Sequence, residues 1–544
     1  MGVMNNPETI APFVFQLFEL LPLSTIKDLS LLSKSWFDFT NSTISKNCVF
    51  ISDEFREKEM SRLYKNFEII SCNDENFQKF TKNLFQITSQ TETPVKRLII
   101  NNLKIINCKI DQQFFEIFSK INVEKVVFEN CKFSDFIESE ILCMNIRTIT
   151  FKKDSYSNQD LKNIKNIIKQ NSNSLQNIEI KDTHSNYVKI GQEFLDSMNI
   201  PNLIELKLNI KDLNCSSESI ETFLKSHTNL ESLTLKNMNL DLSFLRHCKN
   251  LKSLSIMEGQ SYLNDNSAFN FDNIEHLGMD FTNIILDISK SKLLQNLKSF
   301  KSSLYGDFSE DILLNILSKM PNLVKLNLSF ISDGCFSDVF SIISKKCLNL
   351  KDLSLWIFPD TAVEYSLPIY NDPIVFPNLE TLSLVTLDEV DLGKVQFPML
   401  KKLSIRSEDN SKFVEIIKSW IFNCKNIEDL SLNHNKITFE ADFFQFIVES
   451  FPFLKSLSLG EHHGNIIDIP GIDLLFEYKS HYLKTVTLYV EVRNGNNEKL
   501  IEFASRHRNF HVINKKGEKK PFKITNGYRT INLYYILDNN KSGS

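Results

Sequence analysis

Few residues in this sequence have the types and spacing that chemistry requires. Glu461-His462-His463 is the one polar cluster with metal-ligand chemistry. It begins two residues past Leu459, and neighbouring residues of a strand point to opposite faces. The cluster therefore predicts a partner contact rather than a metal site. His507 and His511 share a helical face only if one helix runs through both, and Phe510-His-Val-Ile reads as extended chain instead. The ten cysteines stand at 48, 72, 108, 131, 143, 215, 248, 335, 347 and 424. No two form C-x-x-C, which argues against zinc-finger and thioredoxin-like sites. A secreted disulfide scaffold would be shorter and far denser in cysteine. No nucleophile elbow, zincin helix, phosphate-binding loop or dinucleotide fingerprint occurs. The expectation is a chain with no catalytic residues, no metal and no cofactor, working in a reducing compartment, either cytoplasm or nucleus.

The elements that would have to position any site are spelled out by repetition. A six-residue phrase recurs: apolar, two variable residues, apolar, one variable, apolar. It reads Leu203 to Leu208, Leu230 to Leu235, Leu251 to Ile256, Leu323 to Leu328, Leu350 to Leu355, Leu379 to Leu384, Leu400 to Ile405, Ile427 to Leu432 and Leu454 to Leu459. Looser copies begin at Val95, Val123, Ile146, Leu175, Ile274, Leu297 and Leu483. The mean interval is about 26 residues, within the range of leucine-rich repeats. The L-x-L core alternates and so forms a short strand with one buried face. Between strands the apolar spacing is helical, as in Phe413, Ile416, Ile417, Trp420 and Cys424, or Leu313, Ile316, Leu317 and Met320. Ser309 before Glu310 and Asp311 is an N-cap candidate. One strand and one helix of this size cannot bury their own apolar faces, so stacking must do it. The predicted fold is an α/β leucine-rich-repeat solenoid, parallel strands on the concave face and helices on the convex one. Leu297-Lys-Ser-Phe300-Lys-Ser302 puts a polar residue in the last apolar slot and predicts a distorted strand.

Net charge is −5 and pI about 6.1, so the chain lacks the basic footprint of a nucleic-acid binder. Residues Ile10 to Leu23 are apolar, but no basic segment precedes them and Pro12, Gln16, Glu19 and Pro22 interrupt them. A core helix is expected there, not a leader, and no run reaches the length of a membrane span. Lys515-Lys-Gly-Glu-Lys-Lys520 reads either as a solvated turn or as a nuclear-import signal. The 44 phenylalanines read as a packing preference.

The segment before each strand is formulaic: His247-Cys-Lys-Asn-Leu251, Lys346-Cys-Leu-Asn-Leu350, Asn423-Cys-Lys-Asn-Ile427, with Pro201-Asn-Leu203, Pro321-Asn-Leu323 and Pro377-Asn-Leu379 elsewhere. This resembles the cysteine-containing leucine-rich repeats found in many F-box proteins, and Cys131 fits that subtype's strand-end position. Cys248, Cys347 and Cys424 are expected as small buried packing residues. Upstream, Leu21-Pro-Leu-Ser-Thr-Ile-Lys-Asp-Leu-Ser-Leu-Leu-Ser-Lys-Ser-Trp36 resembles the second half of the F-box motif, and Leu17 and Phe18 its central apolar pair. The family's opening Leu-Pro-acidic step is absent, and Ser33 stands where the family has Cys. The resemblance implies a substrate receptor of an SCF-type ubiquitin ligase. Leu17, Phe18, Leu21, Pro22, Leu23, Ile26, Leu29, Leu32 and Trp36 would dock a Skp-family adaptor linked to the cullin scaffold. The alternative for these helices is to cap the end of the array.

The expected organisation is an F-box-like module at 10–50, a helical brace at 51–94 with helices over Asp53–Phe67 and Asp74–Ile87, the repeats at 95–490, and a cap at 491–544. That cap would hold a helix near Glu498–Arg506 and strands near His511 and Ile531. A protein target is expected on the solenoid, with no nucleic acid and no membrane involved. The residue between the two apolar positions is small and polar in most later repeats: Thr234, Ser255, Ser354, Ser383, Ser404, Ser431, Ser458 and Thr487. Beyond this floor Trp356, Arg406, Asn433 and Tyr489, with His434, Glu461 and His462 at the rim, are the candidate partner-binding residues, Trp, Tyr and Arg being enriched at hot spots. Two other readings stay open: a leucine-rich-repeat scaffold or regulator with no ubiquitin role, and a sensor that uses a small molecule to hold its target.

Overall fold

The structure is a computed structural model. It describes the strands Cys48–Ile51 and Asn66–Ile70, the repeat strands with most of their turns and several helices between 99 and 492, and the strands Phe522–Asn526 and Arg529–Leu537. Residues 1–47, and with them the adaptor-binding candidates Leu17 to Trp36, lie outside the described residues. Ser309, Glu461, His462, His463, the 498–506 segment and His511 also lie outside them. The chain divides into two compact units, Met1–Asn273 and Ile274–Ser544.

In the first unit the parallel ladder runs through Cys48–Ile51, Asn66–Ile70, Ile99–Ile106, Asn122–Glu129, Thr148–Lys153, Asn177–Asp182, Glu205–Asn209, Ser232–Lys236 and Ser253–Met257. In the second it runs through His276–Asp280, Ser299–Tyr305, Lys325–Ser332, Asp352–Pro359, Thr381–Thr386, Lys402–Ser407, Asp429–His434, Ser456–Leu459, Thr485–Val492 and Arg529–Leu537. Within the second unit these strands pair in one shared register, so Leu326, Leu353, Leu382, Leu403, Leu430 and Leu457 form one column. Leu328, Leu355, Leu384, Ile405, Leu432 and Leu459 form the next. Both columns are buried while the intervening column is half-exposed. A slip of one residue would turn every leucine outward, which is why the register holds.

The helices supply the second layer. Glu310–Ser318 buries Leu313, Ile316 and Leu317, with Met320 just beyond it, as their spacing predicts. Asn158–Gln170 starts with a capping box: Ser157 Oγ accepts from Asp160 N–H at 3.0 Å, and Asp160 accepts from Ser157 N–H at 2.9 Å. Lys153 reaches the same carboxylate at 2.7 Å and so ties strand end to helix start. Burial works to raise the Asp160 carboxyl, but Lys153 and Ser157 hold it below the usual range. Phenylalanine fills the space between layers, as in the stacked pair Phe128–Phe151 at 5.4 Å and the pair Phe376–Phe397 at 5.4 Å.

Four expectations need correction. The copy expected at Val95 begins at Ile100: Ile100, Leu103 and Ile105 pair with Val123, Val126 and Phe128. Val95-Lys-Arg-Leu-Ile-Ile100 has the same spelling five residues early, but the later set continues the buried columns of its neighbour. Asn66–Ile70 is a strand where a helix was expected to reach Phe67, and it pairs with Ile99–Ile106. At the other end Arg529–Leu537, expected as part of a cap, continues the parallel ladder beyond Thr485–Val492. Finally, the Phe300–Ser302 copy is regular. Phe300 and Ser302 keep full register with Leu326 and Leu328. The polar residue is accommodated without bending the strand, and its cost appears as a buried Ser302 hydroxyl with no hydrogen-bond partner among the described residues.

The turns before the strands are joined by an asparagine ladder. Asn202, Asn229, Asn250 and Asn273 each donate their side-chain amide to a carbonyl of the preceding repeat: Asn173, Pro201, Thr228 and Lys249. Asn322, Asn349, Asn378 and Asn426 do the same to Gln295, Pro321, Leu348 and Pro398. Next to this ladder runs an edge of paired charges: Lys252–Glu231, Lys298–Glu275, Lys351 and Lys401 on Glu380, and Lys455–Glu428, all between 2.6 and 3.3 Å. Hydrogen bonds from Lys351 and Lys401 hold the Glu380 carboxyl below its ordinary value.

Candidate partner-binding face

The open face is built from the residues that alternate with the buried columns. In the second unit the floor is Asn327, Ser354, Ser383, Ser404, Ser431 and Ser458, paired strand to strand. None of these side chains is large enough to cover the sheet. The next outward row is Ser329, Trp356, Val385, Arg406 and Asn433, again in direct register. Trp356 is 42% exposed, a large area of indole left to water. Val385, beside it, is buried, and Arg406 and Asn433 are half-exposed. The structure thus brings Trp356, Arg406 and Asn433 into one row. His434 is placed by register beside Ser407, and Tyr489 beside Tyr534.

Sequence reasoning missed Val385, whose apolar side chain separates Trp356 from Arg406 in the row. It also missed His227. This histidine is buried and stands three residues before Leu230, where other repeats have Cys248, Cys347 or Cys424 before their own apolar residue. Its Nε2 accepts from Ile200 N–H at 3.1 Å, which makes Nδ1 the protonated nitrogen, donating to Phe223 carbonyl at 2.7 Å. The ring stacks on Phe223 at 4.0 Å. The signal available in the sequence was that shared position.

Among the described cysteines Cys108, Cys131, Cys347 and Cys424 are buried packing groups, whereas Cys248, expected to be buried with them, is only half-buried. Burial pushes the thiols of Cys131, Cys248 and Cys347 up to about 12 and that of Cys424 to about 11. Thiols so far from ionising are poor nucleophiles and poor metal ligands. Among the described residues no group of three or more His, Cys, Asp or Glu could hold a metal ion, and no helix is long and apolar enough to cross a membrane.

The repeated phrase, the in-register parallel ladder and the helical second layer decide the fold. It is a leucine-rich-repeat fold. No family model matches the chain, and no curated protein matches it. Among solved structures it is similar to the mouse RP105/MD-1 complex, at 13% identity over 81% of this chain and 73% of that one, with a TM-score of 0.39. It is also similar to the Rad7 and Elc1 complex in yeast, at 14% identity over 85% of this chain and 90% of that one, TM-score 0.34. An internalin from Listeria monocytogenes is similar at 14% identity over 75% of this chain and 88% of that one, TM-score 0.26.

Proposed function

We propose that this protein is a non-catalytic substrate receptor of an SCF-type ubiquitin ligase, acting in the cytoplasm or nucleus. The observation that carries the binding half of this reading is the row of Trp356, Arg406 and Asn433 beside a floor of serine side chains. An exposed tryptophan on a rigid sheet loses little freedom on binding and contributes a large apolar area, as hot-spot residues do. Trp356, Arg406, Asn433 and Tyr489 would anchor a protein target, with His434, Glu461 and His462 at its rim. The ubiquitin half rests on the resemblance of Leu21–Trp36 to the F-box. Leu17, Phe18, Leu21, Pro22, Leu23, Ile26, Leu29, Leu32 and Trp36 would dock the Skp-family adaptor and through it the cullin.

Co-purification from cells tests both halves. Trp356→Ala and Arg406→Ala should each weaken target capture by about 2 kcal/mol or more while adaptor recovery is unchanged. Leu21→Asp with Ile26→Asp should abolish adaptor and cullin recovery while target capture persists. Full adaptor recovery by that double variant would leave a leucine-rich-repeat scaffold without ubiquitin function. Normal target capture by the Trp356 and Arg406 variants would move the site off this row.

A further inference from the structure

The first unit carries a different surface. Along the charged edge described above, lysines sit opposite acids, which is the arrangement that stabilises neighbouring strands. The exit ends of Thr148–Lys153 and Asn177–Asp182 differ on one side: Lys152 has Glu129 in register on one flank but stands directly against Lys181 on the other. Phe151 and Ile180, the preceding residues, are buried, so both ammonium groups belong to the open face and both are half-exposed. Like charges in direct register destabilise a sheet. Among the described residues neither has an ion-pair partner. Two nearby acids have other partners: Glu129 holds Lys104 at 3.3 Å, and Glu179 accepts from Thr150 Oγ1 at 3.4 Å. Tyr156 donates its hydroxyl to Lys181 carbonyl at 3.0 Å, which fixes the strand end that presents the lysine. One turn further along the two preceding repeats, Lys109 stands against Lys132, both exposed and also without an ion-pair partner among the described residues.

The geometry points to a docking surface for a carboxylate-rich segment of a protein, held by Lys152 and Lys181 and extended by Lys109 and Lys132. Strand-to-strand spacing puts the two Cα atoms of a pair about 5 Å apart. A single Asp or Glu carboxylate bridges two ammonium groups at that separation and removes their repulsion, so binding relieves a cost that the free protein carries. This surface is independent of the Trp356 row and of the F-box resemblance.

The test uses the full-length chain and a fluorescein-labelled peptide of eight alternating Asp and Glu residues, read by anisotropy. Binding should weaken steeply with salt, because exposed charges are screened over about 10 Å at 0.1 M. Lys152→Gln with Lys181→Gln should weaken binding at least tenfold, whereas Lys252→Gln with Lys298→Gln should leave it unchanged. Trp356→Ala should also leave it unchanged, which separates this result from the fate of the proposed target site. Melting temperature gives the second readout: removing a repulsive pair should leave it equal or higher. The proposal is overturned if the peptide does not bind, if the Lys152/Lys181 variant binds it normally, or if that variant melts lower. It is equally overturned if a single-stranded RNA of matching charge binds the same lysines more tightly than the peptide.

Discussion

Replacing His227 with leucine should remove one hydrogen-bonded link between repeats and with it a share of the pH dependence of stability. Leucine keeps apolar volume against Phe223 but leaves the buried Ile200 N–H without the acceptor it has at 3.1 Å. An orphaned buried donor costs about 1–3 kcal/mol. Loss of the 2.7 Å bond to Phe223 carbonyl and of the ring stacking adds about 1 kcal/mol each. The expected total is about 3–5 kcal/mol at pH 7.5, read by urea unfolding. The pH arm is more specific. Burial, opposed by the hydrogen bond to Phe223, lowers the His227 pKa from 6.5. Below that value the unfolded chain binds a proton that the folded chain refuses. The wild type therefore has this contribution in full above pH 6.5 and loses up to about 1.4 kcal/mol per pH unit below it, until the folded-state pKa is reached. Other titrating groups are common to both proteins, so subtracting the variant's pH profile from that of the wild type isolates His227. Parallel profiles between pH 7.5 and 5.5 would refute the neutral-acceptor assignment.

Ser302→Ala should stabilise the second unit, since it deletes a buried hydroxyl that has no partner among the described residues; a gain of about 1 kcal/mol shows as a rise of about 2 °C in melting temperature. Asn349→Ala should cost about 0.5–1 kcal/mol in urea unfolding by removing one rung of an exposed ladder, and Asn349→Asp should cost at least as much because a carboxylate cannot donate to Pro321. Cys131, Cys347 and Cys424 should resist iodoacetamide at pH 8 in the folded chain and react in 6 M denaturant, about the concentration that unfolds even very stable domains; mass spectrometry of digests checks this.

How far the fold could be read in advance depended on how each element is spelled. Strands with Leu-x-Leu in a column were legible because burial and alternation give one answer. Val95 misled because two overlapping apolar triplets fit the phrase, and only pairing with Val123, Val126 and Phe128 chooses Ile100. Asn66–Ile70 was hidden because a strand this short leaves only Phe67 and Ile69 as an alternating pair, and the surrounding residues also fit a helix. The asparagines before each leucine were visible as a recurrence, but their bonds to the preceding repeat became apparent only once the repeats were stacked. For the site, Trp356 and Arg406 were legible as outward positions. Their separation by buried Val385 was not, since it depends on which strands are neighbours.

The serine floor has a period of its own. Its hydroxyl-bearing residues recur at about 4.8 Å, the distance between hydrogen-bonded strands. An extended peptide laid across these strands repeats its same-face side chains about every 6.8 Å, so it drifts out of step with the floor after a single strand. A helix laid across them advances about 5.4 Å per turn and falls behind by only about 0.6 Å per strand. Trp356 and Arg406, two strand intervals apart, sit about 9.6 Å from each other at the backbone. Two turns of a helix cover about 10.8 Å, so residues one heptad apart would reach both side chains. A target bound along this row, as proposed, would match its pitch better as a helix than as an extended strand.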